Sequence, residues 1–311
     1  MLVSKITTLL GYELVGDDCE VCGISWFDSA RKKDIAVIDR KNDLNNTLAE
    51  VVLTRPIIAQ TDKTLIITFE DIGCSFVKVC KTLIDNGILE DYSAPTQYVL
   101  HERGYYVGKN CNISDHAIIQ PGVMIGDNVT IEDDCFIEPF VVVGTGTVLG
   151  KEIHIGAGSK IGVPSFYHYY VDEQIKQFDG CGIVRIGDGT SIGCNTIIQR
   201  GTISDTIIGI NNMIGNAIDI GHDVKIGDNC KIVSQTGIAG NVCIKNNVTI
   251  YGQVGISNNL VVGNNAVIKG RTIVSKSVND NEIIYGPFGR TFSDEIKLVA
   301  KVRRFFKGKD A

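Results

Sequence analysis

An apolar, mostly β-branched residue returns at every sixth position over most of this chain. From Val107 it falls on Ile113, Ile119, Ile125, Ile131, Ile137, Val143, Leu149, Ile155 and Ile161. It resumes at Ile186, Ile192 and Ile198, and after a shortened step runs from Ile208 through Ile220, Ile238 and Ile256 to Val274. The next position is usually Gly or another small or polar residue, as at Gly126, Gly144, Gly156, Gly187, Gly227 and Gly263. This is the hexapeptide signature of a β-helix. Each hexad makes one flat side of a coil, and three hexads close a triangular turn. The β-branched residue points inward onto its equivalents above and below, and adjacent coils pair at strand spacing, ~4.8 Å. A coil can bury its apolar face only against its neighbours, so stability accrues by stacking. Residues eighteen apart therefore lie one above another on the outside of the prism.

The period bounds three regions, and 311 residues leave room for two or three units. Residues 1–100 lack the period and read as a small α/β domain. Strands are expected at Asp34–Arg40, Glu50–Leu53 and Thr64–Phe69, a helix at Cys74–Asn86, and a linker at Ala94–Pro95. Residues 101–284 are the prism, which begins near Tyr105 and is interrupted by an insert at 162–185. The tail, 285–311, opens on a turn at Tyr285-Gly286-Pro287. A basic helix then starts with Ser293 as its cap, and Asp294 and Glu295 lie in its first turn. Its cations, Lys297, Lys301, Arg303, Arg304, Lys307 and Lys309, suit either a helix C-terminus or the docking of an acidic partner or phosphate.

Charge and hydropathy remove some function classes. A net charge of −6 and a pI of about 5.4 argue against nucleic acid as a partner. No run of eighteen apolar residues exists to span a membrane. The opening MLVSKITTLLGYEL reads as an amphipathic helix rather than a signal peptide, which points to the cytoplasm. The ten cysteines are scattered, and Cys111, Cys135, Cys194, Cys230 and Cys243 fall inside the repeats, as expected of reduced thiols. Cys19-x-x-Cys22 has no second pair with which to close a zinc site.

The insert GVPSFYHYYVDEQIKQFDGCGIVR concentrates Phe166, Tyr167, His168, Tyr169, Tyr170 and Phe178 in a chain that is only 7% aromatic. A loop thrown out of a regular coil commonly carries binding groups; an oligomer contact or a cap over a coil face is the other use. Of the five histidines, His116, His154 and His222 have the wrong separations for a shared metal, so no metal site is expected. His222, in NAIDIGHDVKIGDN, stands just outside a turn with Asp219 and Asp223 on either side. One coil on comes Gly240, and the coil after that brings Asn258. A histidine beside an exposed backbone N–H meets two needs of acyl transfer: removal of a proton and stabilisation of an oxyanion. A single exposed His can equally be incidental.

The segment TIIQRGTISDTIIGINNMIGNAIDIGHDVKIGDNCKIVSQTGIAGNVCIKNNVTIYGQVGIS resembles the UDP-3-O-acylglucosamine N-acyltransferases of lipid A synthesis, and VCGISWFDSARKKDIAVI resembles the opening of that family. The resemblance implies an N-terminal nucleotide-binding domain, a left-handed parallel β-helix, a C-terminal helix, and a homotrimer with its sites between prisms. By position, His222 matches the catalytic base, Gly240 the oxyanion-hole donor and Asn216 an asparagine of the same motif. The chain departs from the family at Asn259, where the family has a second histidine, and at Val163-Pro164-Ser165-Phe166, where it has Asp-Gly-Phe-Gly. The uracil-stacking aromatics have no clear counterpart between Asp34 and Leu48. The expected protein is thus a relative: a mainly β N-acyltransferase carrying an acyl group from a thioester to the amine of a nucleotide-linked amino sugar for surface glycans. No permanently bound cofactor is expected. Acyl-CoA is favoured as co-substrate over acyl carrier protein, which would belong to the lipid A reaction. Asn216, Asp219, Phe166, Tyr167 and Tyr170 are the expected substrate contacts; Gly255, Asn258 and Asn259 are expected along the donor. A non-catalytic prism, such as an ice binder, would need flat arrays of Thr, and the outward positions here are mixed.

Overall fold

The computed structural model describes residues 1–38, 46–56, 61–286 and 292–307. The first hundred residues form a five-stranded sheet with two helices. Helix α1 (Val3–Leu10) buries Val3, Ile6 and Thr7 and stops at Gly11, whose φ of 68° gives the left-handed cap that glycine adopts most readily. The strands are β1 (Glu13–Val15), β2 (Gly23–Trp26), β3 (Asp34–Val37), β4 (Val51–Thr54) and β5 (Thr64–Ile67), in the order β1-β5-β4-β3-β2. Only β1 is antiparallel. The predicted strand at Asp34–Arg40 ends at Val37; Asp39 and Arg40 lie outside the described residues. Helix α2 (Ile72–Asp85) is capped by Asp71, which accepts from the Cys74 N–H, and lays Phe76, Val79 and Leu83 on the sheet.

The prism follows from its first strand, Tyr106–Val107, as three stacked parallel sheets. Each inward residue pairs with its equivalent eighteen residues on, for example Ile125 with Val143 and Ile220 with Ile238. These inward side chains form one continuous column that excludes water. Most corners place a residue at positive φ, and Asn holds many of them, among them Asn128, Asn211, Asn229, Asn241 and Asn259, because Asn tolerates that region better than most residues.

Two of the breaks in the register matter for the site. Across the insert Leu149 pairs with Ile186. Beyond it Ile198 pairs with Ile220, twenty-two residues on rather than eighteen. The step from Ile198 to Ile208 is therefore lengthened by four residues and not shortened as the sequence suggested. The extra residues make a loop around Gly201–Ser204. The insert itself forms an antiparallel hairpin, Tyr167–Val171 with Gln174–Phe178. Its inward face carries Tyr167, Tyr169 and Phe178 into the core of the N-terminal domain, where Phe76 meets Tyr167 at 5.0 Å and Phe178 at 6.2 Å between ring centres. The hairpin thus straps the domain onto the prism.

Helix α3 spans Phe292–Lys307, so Ser293 sits inside its first turn and not at the cap; a helix boundary read from sequence carries that one-residue ambiguity. Ile296, Leu298, Val299, Val302 and Phe305 on it are exposed. Pro287 of the expected turn and Lys309 lie outside the described residues. No described helix is long and apolar enough to cross a membrane.

Candidate active site

His222 and Asp223 occupy one corner of the prism. Asp223 takes the corner's positive φ of 57°. Its side chain turns inward to 1% exposure, while that of His222 stays 18% exposed. An isolated buried carboxylate is unfavourable, and the four-residue expansion supplies its partners. The N–H groups of Thr202, Ile203 and Ser204 donate to Asp223 at 2.9–3.3 Å. Such charge-assisted bonds fix the carboxylate in direction. Its Oδ2 meets His222 Nδ1 at 2.7 Å. With the carboxylate as acceptor Nδ1 carries the proton of that bond, and Nε2 is the ring nitrogen turned away from Asp223.

Nε2 is aimed at Gly240, one coil on. A Cβ built on Gly240 would stand 2.5 Å from His222 Cε1 and 2.6 Å from Nε2, so only glycine fits beneath the ring. The Gly240 N–H is also open. At equivalent corners a side chain from the next coil caps that N–H: Asp228 receives Ile210, Ser234 receives Asn216, and Asn246 receives Asp228. Among the described residues no acceptor meets the Gly240 N–H. Gly221 helps keep it reachable, because a Cβ there would lie 2.8 Å from the Gly240 nitrogen.

A cleft of about 500 Å³ opens over this pair. Its floor is one outward column, Asp219, Gly237, Gly255 and Ile273, in register from coil to coil. Phe166 and Gln199 form its rim: Gln199 accepts the Phe166 N–H at 2.9 Å and faces Asp219 at 3.4 Å. Gln199, Ser257 and Ile273 escaped the sequence reading. Ile273 was within its reach, being eighteen residues past Gly255, whereas the lengthened step displaced Gln199 from that rule.

Of the expected residues, His222, Gly240, Asp219, Gly255 and Phe166 converge on this cleft. The others do not. Asn216 stands at a different prism edge, where its Oδ1 caps the Cys194 N–H at 2.8 Å. Asn258 lines no part of the cleft, and Asn259 faces a second one, about 520 Å³, between the prism and the N-terminal domain, and accepts from Asn241. The reason is geometric: only one of a corner's residues can point to a given side. Tyr170 is exposed on the hairpin beside His168. Tyr167 is half-buried, packed against the N-terminal domain and edge-on to His222 at 5.9 Å, where it walls the imidazole. Burial pushes its phenol up to about 12. The unfolded chain ionises near pH 10 while the folded one stays neutral, so this contribution to stability is complete below about pH 10 and lost as pH rises toward 12. Tyr167→Phe should keep the fold at neutral pH and flatten the loss of Tm between pH 10 and 12; an unchanged profile would mean another group controls that window.

The remaining histidines are engaged elsewhere or stand apart; His154, for instance, meets Glu138 at 2.9 Å. Among the described residues no three of His, Cys, Asp and Glu are grouped as ion ligands require.

Residues 128–162 match the family model described as bacterial transferase hexapeptide (six repeats). A UDP-3-O-acylglucosamine N-acyltransferase of Rickettsia massiliae is 38% identical over 91 residues, 29% of this chain and 26% of that protein. The homologous protein of Rickettsia conorii is 39% identical over 90 residues. This chain thus spans about a quarter of the length of the curated relatives it matches. Among solved structures, a UDP-N-acetylglucosamine acyltransferase of Francisella novicida aligns with a TM-score of 0.54 and 30% identity, covering 60% of this chain and 67% of that one. The UDP-N-acetylglucosamine O-acyltransferase of Moraxella catarrhalis aligns at 0.55 and 26%, covering 60% and 70%. The prism shares their fold, a left-handed parallel β-helix.

Proposed function

We propose that this chain, which belongs to the bacterial hexapeptide-repeat transferases, is an N-acyltransferase that moves an acyl group from a thioester to the amine of a nucleotide-linked amino sugar. One observation carries the reading: His222 Nε2, oriented from behind by Asp223, faces an uncapped Gly240 N–H across a single cleft. In the reaction the acceptor nitrogen attacks the thioester carbonyl and His222 Nε2 takes its proton. The Gly240 N–H holds the oxyanion, and Asp223 stabilises the imidazolium. The C–S bond then breaks, and the departing sulfur recovers the proton from His222. Asp219 at one end of the floor suits a protonated amine as it arrives, and the flat row of Gly237 and Gly255 suits a narrow uncharged chain of the donor. The nucleotide-sugar acceptor is supported by the names of the relatives, UDP-3-O-acylglucosamine N-acyltransferase and UDP-N-acetylglucosamine acyltransferase.

Acyl-CoA is our proposed donor, because the chain departs from the lipid A enzymes at Asn259 and Val163–Phe166 while keeping His222 and Gly240. The test is a side-by-side assay of UDP- and dTDP-linked amino sugars with a short acyl-CoA and a long-chain acyl carrier protein, read by mass spectrometry. An N-acylated sugar formed from acyl-CoA supports the reading. Product only from the carrier-linked chain would make this a lipid A enzyme, and no product with any pair would remove the acyltransferase assignment.

The cleft is open on its outer side, on a prism face that also presents the exposed side chains Tyr106 and Ile273. A homotrimer would close it with a neighbouring prism. Light scattering should then give three times the 33.8 kDa of one chain; a fully active monomer would contradict a site shared between subunits.

A further inference from the structure

Behind the His222–Asp223 pair, on the side away from the cleft, two cysteines meet across the junction of three segments. Cys80 is fully buried in α2, and Cys181 follows the hairpin strap; their sulfurs are 3.8 Å apart. Among the described residues no other two cysteine sulfurs lie within hydrogen-bonding distance. Cys181 is also joined to the active site. Its N–H donates to the Thr202 carbonyl at 2.9 Å, and its thiol reaches the same oxygen at 3.3 Å. Thr202 in turn donates its N–H to both oxygens of Asp223 at 3.1 Å, and Asp223 holds His222. A change at Cys181 therefore acts on the peptide that grips the catalytic carboxylate.

We infer that Cys80 and Cys181 are an oxidisable pair, closed to a disulfide by hydrogen peroxide, and that closure loosens the grip of the Thr202–Ser204 loop on Asp223. Cys181 is part-exposed and meets the oxidant; burial, with Cys181 and Asp223 nearby, holds the Cys80 thiol well above the ordinary range, so Cys80 acts second. The Cys181 sulfur attacks one peroxide oxygen, the O–O bond breaks, and a sulfenic acid and water form. The Cys80 sulfur then attacks the sulfenic sulfur, and the S–O bond breaks with loss of a second water. Two thiols are oxidised and one peroxide is reduced. A disulfide needs its sulfurs about 2.05 Å apart. Closing that gap displaces the sulfurs, and a shift of Cys181 strains its two contacts to the Thr202 carbonyl and so disturbs the loop.

The cross-link itself needs no assumption about activity; only its consequence for turnover rests on the acyltransferase reading. The test treats the full chain with hydrogen peroxide and maps its ten cysteines by mass spectrometry. The expected result is loss of two thiols, a linked pair of peptides carrying Cys80 and Cys181, and reversal by dithiothreitol. Cys181→Ser should abolish the link. Cys80→Ser should leave a sulfenic acid on Cys181 that dimedone traps. Amide hydrogen exchange at Thr202–Ser204 should quicken about tenfold on oxidation and not in Cys181→Ser. Oxidation confined to exposed Cys22 or other thiols would overturn the pairing, and a cross-link with unchanged exchange would overturn the coupling to Asp223.

Discussion

His222→Ala is expected to lower turnover by about 10²–10⁴, the share a positioned general base supplies. The protein should remain folded, since the ring lies outside the inward column that holds the prism together and keeps 18% of its surface in solvent. Circular dichroism and Tm would verify the fold, and the rate would be read with saturating donor and acceptor. Asp223 would remain held by three backbone N–H groups after the loss of the imidazole, so no charge is stranded. Wild-type turnover in the folded variant would remove His222 from the mechanism and leave the acceptor amine to lose its proton to solvent.

Gly240→Ala is the second large effect. No positive φ is required of Gly240, so the backbone accepts alanine, and the atoms nearest the added methyl are those of the imidazole, at 2.5 and 2.6 Å. Contacts that short force the ring to swing, which breaks its 2.7 Å bond to Asp223 and moves Nε2 off the acceptor. A fall of about 10²–10³ in turnover is expected, comparable with losing one element of an oxyanion site. The N–H itself is retained, so the loss runs through the histidine. In a His222→Ala background the same substitution should therefore add little, because residues acting as one unit are strongly non-additive. Two full and independent losses would show that the methyl blocks the oxyanion position directly. Val at this position would confound the two causes, which is why Ala is the informative change.

Several site residues were accessible from the chain alone by a single rule, the stacking of positions eighteen apart. That rule places Gly240 above His222, and Gly237, Gly255 and Ile273 above Asp219. It also put Asn258 in line with His222, and there it misled, since the side chain of Asn258 does not line the cleft. The vertical rule states which residues share an edge; which way each side chain leaves that edge depends on the local corner. Tyr167 shows a different limit. Its place in an aromatic insert suggested a substrate contact, yet the hairpin turns it onto Phe76 and the back of His222. Strand alternation sends Tyr167 and Tyr169 to one side and Tyr170 to the other, but which side faces protein follows only from what the hairpin docks against.

The sequence by itself determined the prism, its inward column and the stacking that brings His222 over Gly240, because a six-residue period is a local property repeated until only one architecture can bury it. Tertiary structure alone decided how that histidine is held. The Asp223 clamp comes from four extra residues outside the period, and the wall behind the imidazole comes from a hairpin and a helix more than forty residues away in sequence. Such contacts obey no repeat; they arise from which surfaces remain apolar or unpartnered once the coils have stacked, and that is settled by long-range packing.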